Sequence, residues 1–361
     1  MQERIQKLID MGRRSYEERA FEQATTKLSL ALGMIQEEDP DRLLFDEAEL
    51  AEVHVIRGTS MLEGDRGQAF EDPDLFHQIM EDYEAAIELV PDQLLYYNLR
   101  GRMYMNCTFE DFSEKAKEDF EHVLKHEKDN PIALKNLGEL SSKLGEYEDA
   151  IRHYDRLIQA APDPDAYFMR GMAHFRQRNP DYKAAAADFL QAQREMPTMA
   201  ELYLFRSQCL VELGDVEGAI EEYDRLIEVD GSKAGYYVDR GVLKLEQSLE
   251  AAKADFDKAL DLEAHPLAFN NRAWIHSQQG RYQEAILDAE AALDADGEHS
   301  IAYATLAEIY AAKGDRASFL EYLEQALTYY YEDPLEVLDE PAFAQFGDDP
   351  DFKQLVLSHL S

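Results

Sequence analysis

Cysteine is scarce: Cys107 and Cys209 are the only two in 361 residues. They lie far apart with no metal-ligand spacing. That excludes a disulfide scaffold and a thiolate zinc site, and predicts buried thiols in a reducing compartment. No run of about 18 apolar residues occurs, so no segment is suited to cross a bilayer as a helix. The N-terminal stretch "MQERIQKLIDMGRRSYEERAFEQA" lacks an apolar signal core, and the expected location is cytoplasmic. Basic residues are few, 36 Lys and Arg against 75 Asp and Glu, for a net charge of −39. Such a surface repels nucleic-acid phosphates and anionic headgroups and attracts basic proteins. Solubility, or a salty cytoplasm, would account for the same excess. No glycine-rich phosphate loop and no nucleophile elbow is present. His122 and His126 share a helix face at metal-ligand spacing, but nothing completes a site, and a solvated face is expected. The chain therefore reads as a non-enzyme, with no catalytic, cofactor-binding or metal-binding set.

What is present is a foldable composition, 45% hydrophobic and 11% aromatic, and a phrase written repeatedly. The clearest copy is "PIALKNLGELSSKLGEYEDAIRHYDRLIQAAP", Pro131 to Pro162. It carries Leu137-Gly138, Gly145, Tyr147, Ala150, Tyr154 and a closing proline. "NRAWIHSQQGRYQEAILDAEAAL" repeats it with Ala273, Gly280, Tyr282 and Ala285. "FRSQCLVELGDVEGAIEEYDRLI" does so with Ser207, Gly214, Ala219 and Tyr223. Further copies centre on Gly58, Gly101, Gly171 and Gly241, with divergent ones at each end. Nine copies span about Ile5 to Glu332.

This phrase resembles the tetratricopeptide repeat, in the multi-repeat arrangement of bacterial proteins: two antiparallel helices of about 34 residues that touch at a small residue. The resemblance covers roughly nine-tenths of the chain. It implies an all-α fold, a right-handed α-solenoid superhelix whose first helices line a concave face. The expected organisation is a solenoid over 1–332 and capping helices over 333–361. Glu37 to Leu50 is read as a helix extension or linker. In the tail, Phe343, Phe346, Phe352, Leu355, Val356 and Leu360 are expected to cover the open end, with Tyr329, Tyr330 and Tyr331 packing beneath.

One feature departs from an apolar packing slot. Arginine precedes the small residue of the first helix in six copies: Arg57, Arg100, Arg170, Arg206, Arg240 and Arg272. In the same six copies an acid precedes the second-helix packing residue: Asp82, Asp119, Asp188, Glu222, Asp255 and Asp288. The three copies with Met11, Leu137 or Leu306 have Lys27, His153 or Tyr322 there instead. The matched pattern predicts a half-buried ion pair within each copy. A row of arginines reading an anionic ligand is the alternative, disfavoured because the acids would neutralise it.

The remaining first-helix residues are expected to face the groove. Copy five offers Phe168, Met169, Met172 and Phe175. Copy six offers Leu204 and Phe205, copy seven Val238 and Val242, and copy eight Asn271 and Trp274. An apolar strip of this kind suits a partner-binding groove, and tight curvature burying the same residues is the competing reading. Lys135 is followed one turn later by Glu139, and no other copy supplies a lysine-asparagine set, so a chaperone carboxylate clamp is disfavoured. The expected function is a protein-protein interaction scaffold that takes a peptide or helix, with a basic partner favoured. The alternative is a dedicated neutraliser or chaperone of one basic protein, similar to an immunity protein.

Overall fold

Proline and short polar caps set where the helices of this chain begin. Asn130 Oδ1 accepts the Ala133 amide at 3.0 Å, just before Pro131 opens a helix. Asp72, Asp163 and Asp349 do the same ahead of Pro73, Pro164 and Pro350. Four turns end on glycine with φ between +71° and +77° (Gly145, Gly214, Gly280 and Gly314), a region that side chains with a Cβ avoid.

The computed structural model describes residues 1–39, 44–65, 67–295, 300–331 and 333–360. Residues 40–43, within the expected linker, and residue 332, the expected end of the repeats, lie outside the described residues. Among the described residues there is no strand. Among these residues eighteen helices alternate as nine pairs. They are α1 (Gln2–Glu17) with α2 (Phe21–Glu38), α3 (Glu47–Gly64) with α4 (Pro73–Leu89), and α5 (Leu94–Asn106) with α6 (Ser113–His126). Next come α7 (Pro131–Lys143) with α8 (Tyr147–Ala160), α9 (Pro164–Arg176) with α10 (Tyr182–Glu195), and α11 (Ala200–Glu212) with α12 (Val216–Val229). The last three pairs are α13 (Ala234–Lys244) with α14 (Leu249–Leu262), α15 (Pro266–Gln278) with α16 (Tyr282–Ala295), and α17 (Ser300–Lys313) with α18 (Arg316–Tyr329). Two 3₁₀ turns, Pro334–Asp339 and Pro341–Phe346, and α19 (Pro350–Ser358) follow. The chain divides into an N-terminal body, Met1–Ala192, and a C-terminal body, Gln193–Ser361.

Within each body one contact recurs. A large second-helix side chain lies against a small residue of the first helix. A Cβ added at Gly138 would fall 2.5 Å from the Tyr154 ring, and one at Gly171 2.8 Å from Phe189. In the C-terminal body, Phe256 meets Gly241 in the same way, with a Cβ falling at 2.7 Å. Tyr154, Phe189 and Phe256 are fully buried, so these rings are the core of their repeats. Neighbouring pairs complete it: Leu134, Tyr154 and Leu157 pack with Ala166 and Ala173 of the next repeat. One helix pair has too little interior to stand alone, and stacking supplies the rest.

The tail buries Val337, Phe343, Phe352 and Val356 against Phe319, Leu323 and Leu327. The Phe319 ring lies 4.4 Å from Phe346 and 5.1 Å from Phe343, centroid to centroid. Several expectations are corrected here. Leu360 is 45% exposed and is not part of this cluster, as it follows the end of α19. Tyr331 packs on this cluster, whereas Tyr329 and Tyr330 point outward. Cys209 is buried but Cys107 is only half-buried, since it follows the last residue of α5.

Candidate functional site

The arginine slots come first, because they determine which first-helix residues remain for binding. Arg57 donates from Nε and Nη2 to Asp82 at 2.8 and 2.7 Å. Arg100 grips Asp119 at 3.0 and 2.7 Å, and Arg170 grips Asp188 at 2.8 and 2.6 Å. Arg240 holds Asp255 at 2.9 and 2.5 Å, and Arg272 holds Asp288 at 2.7 Å through both nitrogens. Arg206 differs: it reaches Glu222 through Nη1 alone, and its Nε is buried without a partner. Gln193 takes the other Glu222 oxygen at 2.7 Å, so the carboxylate is shared rather than forked by one guanidinium. All six acids are buried. The Asp188 bonds raise Arg170, and the Asp288 bonds raise Arg272, above the ordinary guanidinium value. For Asp119 burial dominates and raises its pKa despite the Arg100 contacts. Leu137 and Leu306, in the same slot, are buried among apolar neighbours. Met11 is exposed instead, and Lys27 turns to Ser15 Oγ at 2.6 Å.

The sequence pattern did not lead to a third participant. Nη1 of Arg170, Arg240 and Arg272 donates to a carboxylate of the preceding repeat: Asp155 at 2.6 Å, Asp224 at 2.7 Å and Asp257 at 2.7 Å. Each of these acids directly follows the packed ring (Tyr154, Tyr223, Phe256), so an acid immediately after the packed aromatic was a readable signal.

The expected apolar strip does not stand free. Val238 is 2% exposed and Met172 8%, so both belong to the core. Val238 packs with Phe256 and Ile275, because helix spacing turns it between the two neighbouring helices rather than outward. Phe168, Met169, Phe175, Leu204, Phe205, Asn271 and Trp274 are half-buried. Phe168 lies 6.1 Å from the Phe189 ring and Phe175 meets Tyr182 edge-on at 5.8 Å. Met169 and Trp274 pack on the cores of their own bodies. Val242 alone is exposed, at 45%.

A polar cavity lies on the first-helix face of the C-terminal body. Its volume is about 490 Å³. Leu204 and Gln208 of α11, Tyr236 and Asp239 of α13, and Lys233, Glu263 and His265 in the adjoining turns line it. The Tyr223 hydroxyl donates to Asp239 Oδ2 at 3.2 Å. Desolvation raises the Asp239 pKa, although the residue as a whole remains exposed. The Tyr223 hydrogen bond, and after it the neighbouring His265 ring, act in the opposite direction. Lys233 lies 5.4 Å from the centre of the Tyr236 ring and 3.8 Å from Asp230, so it does not neutralise Asp239. His265 Nδ1 is buried with no partner. Sequence reasoning selected Leu204 but not Lys233, Asp239 or His265. The last two come together only when neighbouring pairs stack. Among the described residues no set of three metal-ligating side chains converges. Among the described residues no helix is long and apolar enough to cross a membrane.

Comparison with known proteins places these features. Residues 143–226 match the family model of anaphase-promoting complex, cyclosome, subunit 3. Residues 114–171, and 243–296 with 270–335, match models of the tetratricopeptide repeat. Human mitochondrial import receptor subunit TOM70 is 25% identical over 70% of this chain and 43% of its own length. Human tetratricopeptide repeat protein 6 is 30% identical over 52% of this chain and 36% of its own. The chain thus spans less than half the length of either relative. The C-terminal part of a repeat-containing protein from Cytophaga hutchinsonii shares the fold, with a TM-score of 0.54 at 14% identity, over 70% of this chain and 95% of that one. Proteins of this kind generally mediate protein-protein interactions and are typically scaffolds rather than enzymes. With its paired helices, its small-residue contacts and these matches, the chain belongs to the tetratricopeptide repeat family.

Proposed function

We propose that this protein is a non-enzymatic interaction scaffold that holds an extended segment of a partner protein on the first-helix face of its C-terminal body. A basic side chain of that segment meets Asp239. The observation that carries the reading is the Asp239 carboxylate, set in a 490 Å³ cavity and held by a tyrosine hydroxyl, with no lysine or arginine upon it among the described residues. Asp239 is partly desolvated yet still reachable from solvent, and an arriving guanidinium or ammonium would offset the cost of that desolvation. Gln208 and His265 offer further hydrogen-bonding groups for a peptide backbone, and Leu204 and Tyr236 offer apolar contact. The net charge of −39 speeds the approach of a basic segment.

Selection from a displayed library of random dodecapeptides tests the idea. Enriched peptides should carry lysine or arginine, and Asp239→Asn should weaken their binding by about tenfold while the circular dichroism spectrum stays unchanged. Enrichment without basic residues, or undiminished binding to Asp239→Asn, would remove Asp239 from the site. No enrichment at all would remove the peptide-holding role.

A further inference from the structure

A second cavity, in the N-terminal body, lies at a position where the preceding repeat supplies no acid to the arginine. In Arg170, Arg240 and Arg272 the outer guanidinium edge is taken by an acid of the preceding repeat. That acid always follows the side chain packed beneath the small residue. For Arg57 the preceding repeat is the first, where Leu28 packs beneath Gly12. The next residue is Ser29, not an acid. Arg57 spends Nε and Nη2 on Asp82, and among the described residues its Nη1 makes no hydrogen bond. Ser29 and Arg57 both border a cavity of about 690 Å³ between α2 and α3, together with Gly33, Gln36 and His54. A Cβ at Gly33 would meet nothing within 4 Å, so the α2 wall stands open.

The geometry points to a binding site for a small carboxylic acid, whose carboxylate takes the Nη1 edge of Arg57 as Asp155, Asp224 and Asp257 take the later arginines. The planar guanidinium still offers donors in the orientation that suits a carboxylate. His54 Nδ1 lies 2.6 Å from Asp82 Oδ1, so a second group of basic character stands beside the site. Asp39 also lines the cavity, but its Oδ2 is engaged by the Leu44 amide at 2.9 Å. The volume suits a small molecule, with Ser29 and Gln36 available to a hydroxyl or amide on it. An acidic protein partner fits less well, because a chain of net charge −39 repels it.

The internal comparison supplies the test. Ser29→Asp places this chain's own carboxylate where the ligand's would stand, and leaves Arg57 and Asp82 intact. The full chain is titrated with sodium acetate, sodium lactate and an acidic hexapeptide. Sodium chloride at equal ionic strength is the control, and the Arg57 side-chain Nε–H resonance is followed by NMR. The expected result is a saturable shift with acetate or lactate in the millimolar range, absent with chloride and weakened at least tenfold in Ser29→Asp. Ser29→Asp should also slow hydrogen exchange in α2 and α3. No saturable shift with either acid overturns the proposal, as does a shift of equal affinity in Ser29→Asp. A response to the hexapeptide alone replaces the small acid with a protein ligand and also overturns it.

Discussion

Arg170→Ala isolates what a buried arginine does in this array. Asp188 is 4% exposed, and its cationic partner is Arg170, through bonds of 2.8 and 2.6 Å. Removing the guanidinium strands a carboxylate that cannot rehydrate without opening the α9–α10 contact. Two charge-assisted bonds are at stake, each about 1.5–3 kcal/mol. Relaxation and water entry recover part, leaving a cost of about 3–5 kcal/mol. Asp155, the other partner, has a side chain 44% exposed and returns to water at little cost. Arg240→Ala should be milder, because Asp255 keeps Lys244 Nζ at 3.0 Å. The double change Arg170→Leu with Asp188→Ala should cost about 1.5 kcal/mol or less, because no charge is left buried. It imitates the fourth repeat, where Leu137 is 2% exposed in the arginine's place. Hydrogen exchange of α9 and α10 under increasing urea is the suitable assay, since a repeat array can open piecewise. The reasoning fails if Arg170→Ala is as mild as the double change, or if Arg240→Ala proves the costlier single change.

Burial, and then the Glu340 charge, pushes Glu308 from 4.5 up to about 7. The folded state thus favours the protonated acid, so the stability it lends is full below about pH 4.5 and is lost as pH rises through about 7, a span worth about 3 kcal/mol. Thermal melts of the protein should show that loss between pH 5 and 8, and Glu308→Gln should flatten the profile. Gly138→Ala forces a methyl against the Tyr154 ring, with three ring atoms within 2.9 Å, and should destabilise by about 1–3 kcal/mol in urea titration. Gly33→Ala, which meets nothing within 4 Å on α2, should instead stabilise by about 0.5–1 kcal/mol; equal effects would show that the close approach at Gly138 does not matter.

The helix pairs were legible because their cause is local. Asn130-Pro131 starts a helix, Gly145 ends it, and Gly138 admits Tyr154; each is written in the residue itself. The arginine-acid pairs were legible for another reason: duplication had written one contact six times, so variation between copies exposed it. Side-chain direction was harder. Val238 and Val242 lie one turn apart on α13, yet one is 2% and the other 45% exposed. The difference is set by α14 and α15, which close over Val238 and leave Val242 uncovered. Pattern on one helix cannot report what its neighbours cover. Asp239 and His265 were missed for the same reason, since they belong to successive repeats and form a site only after stacking.

The arginine slot still has to be weighed against its apolar alternative. Leu137 and Leu306 show that leucine fills it well, and a buried ion pair adds little net stability over such a residue. What leucine lacks is direction. Arg170 joins Asp188 of its own repeat to Asp155 of the one before, in one rigid plane. Arg240 and Arg272 do the same with Asp224 and Asp257. An apolar interface between similar helices tolerates a shift along the axis, because leucine against alanine packs comparably at several offsets. A three-way guanidinium contact does not, since a displacement of one residue breaks both acids' bonds at once and leaves a buried charge behind. In a chain whose repeats are alike enough to pair wrongly, that penalty falls on the misaligned stack and spares the aligned one. The arginines therefore act on the choice of register more than on the depth of the folded state.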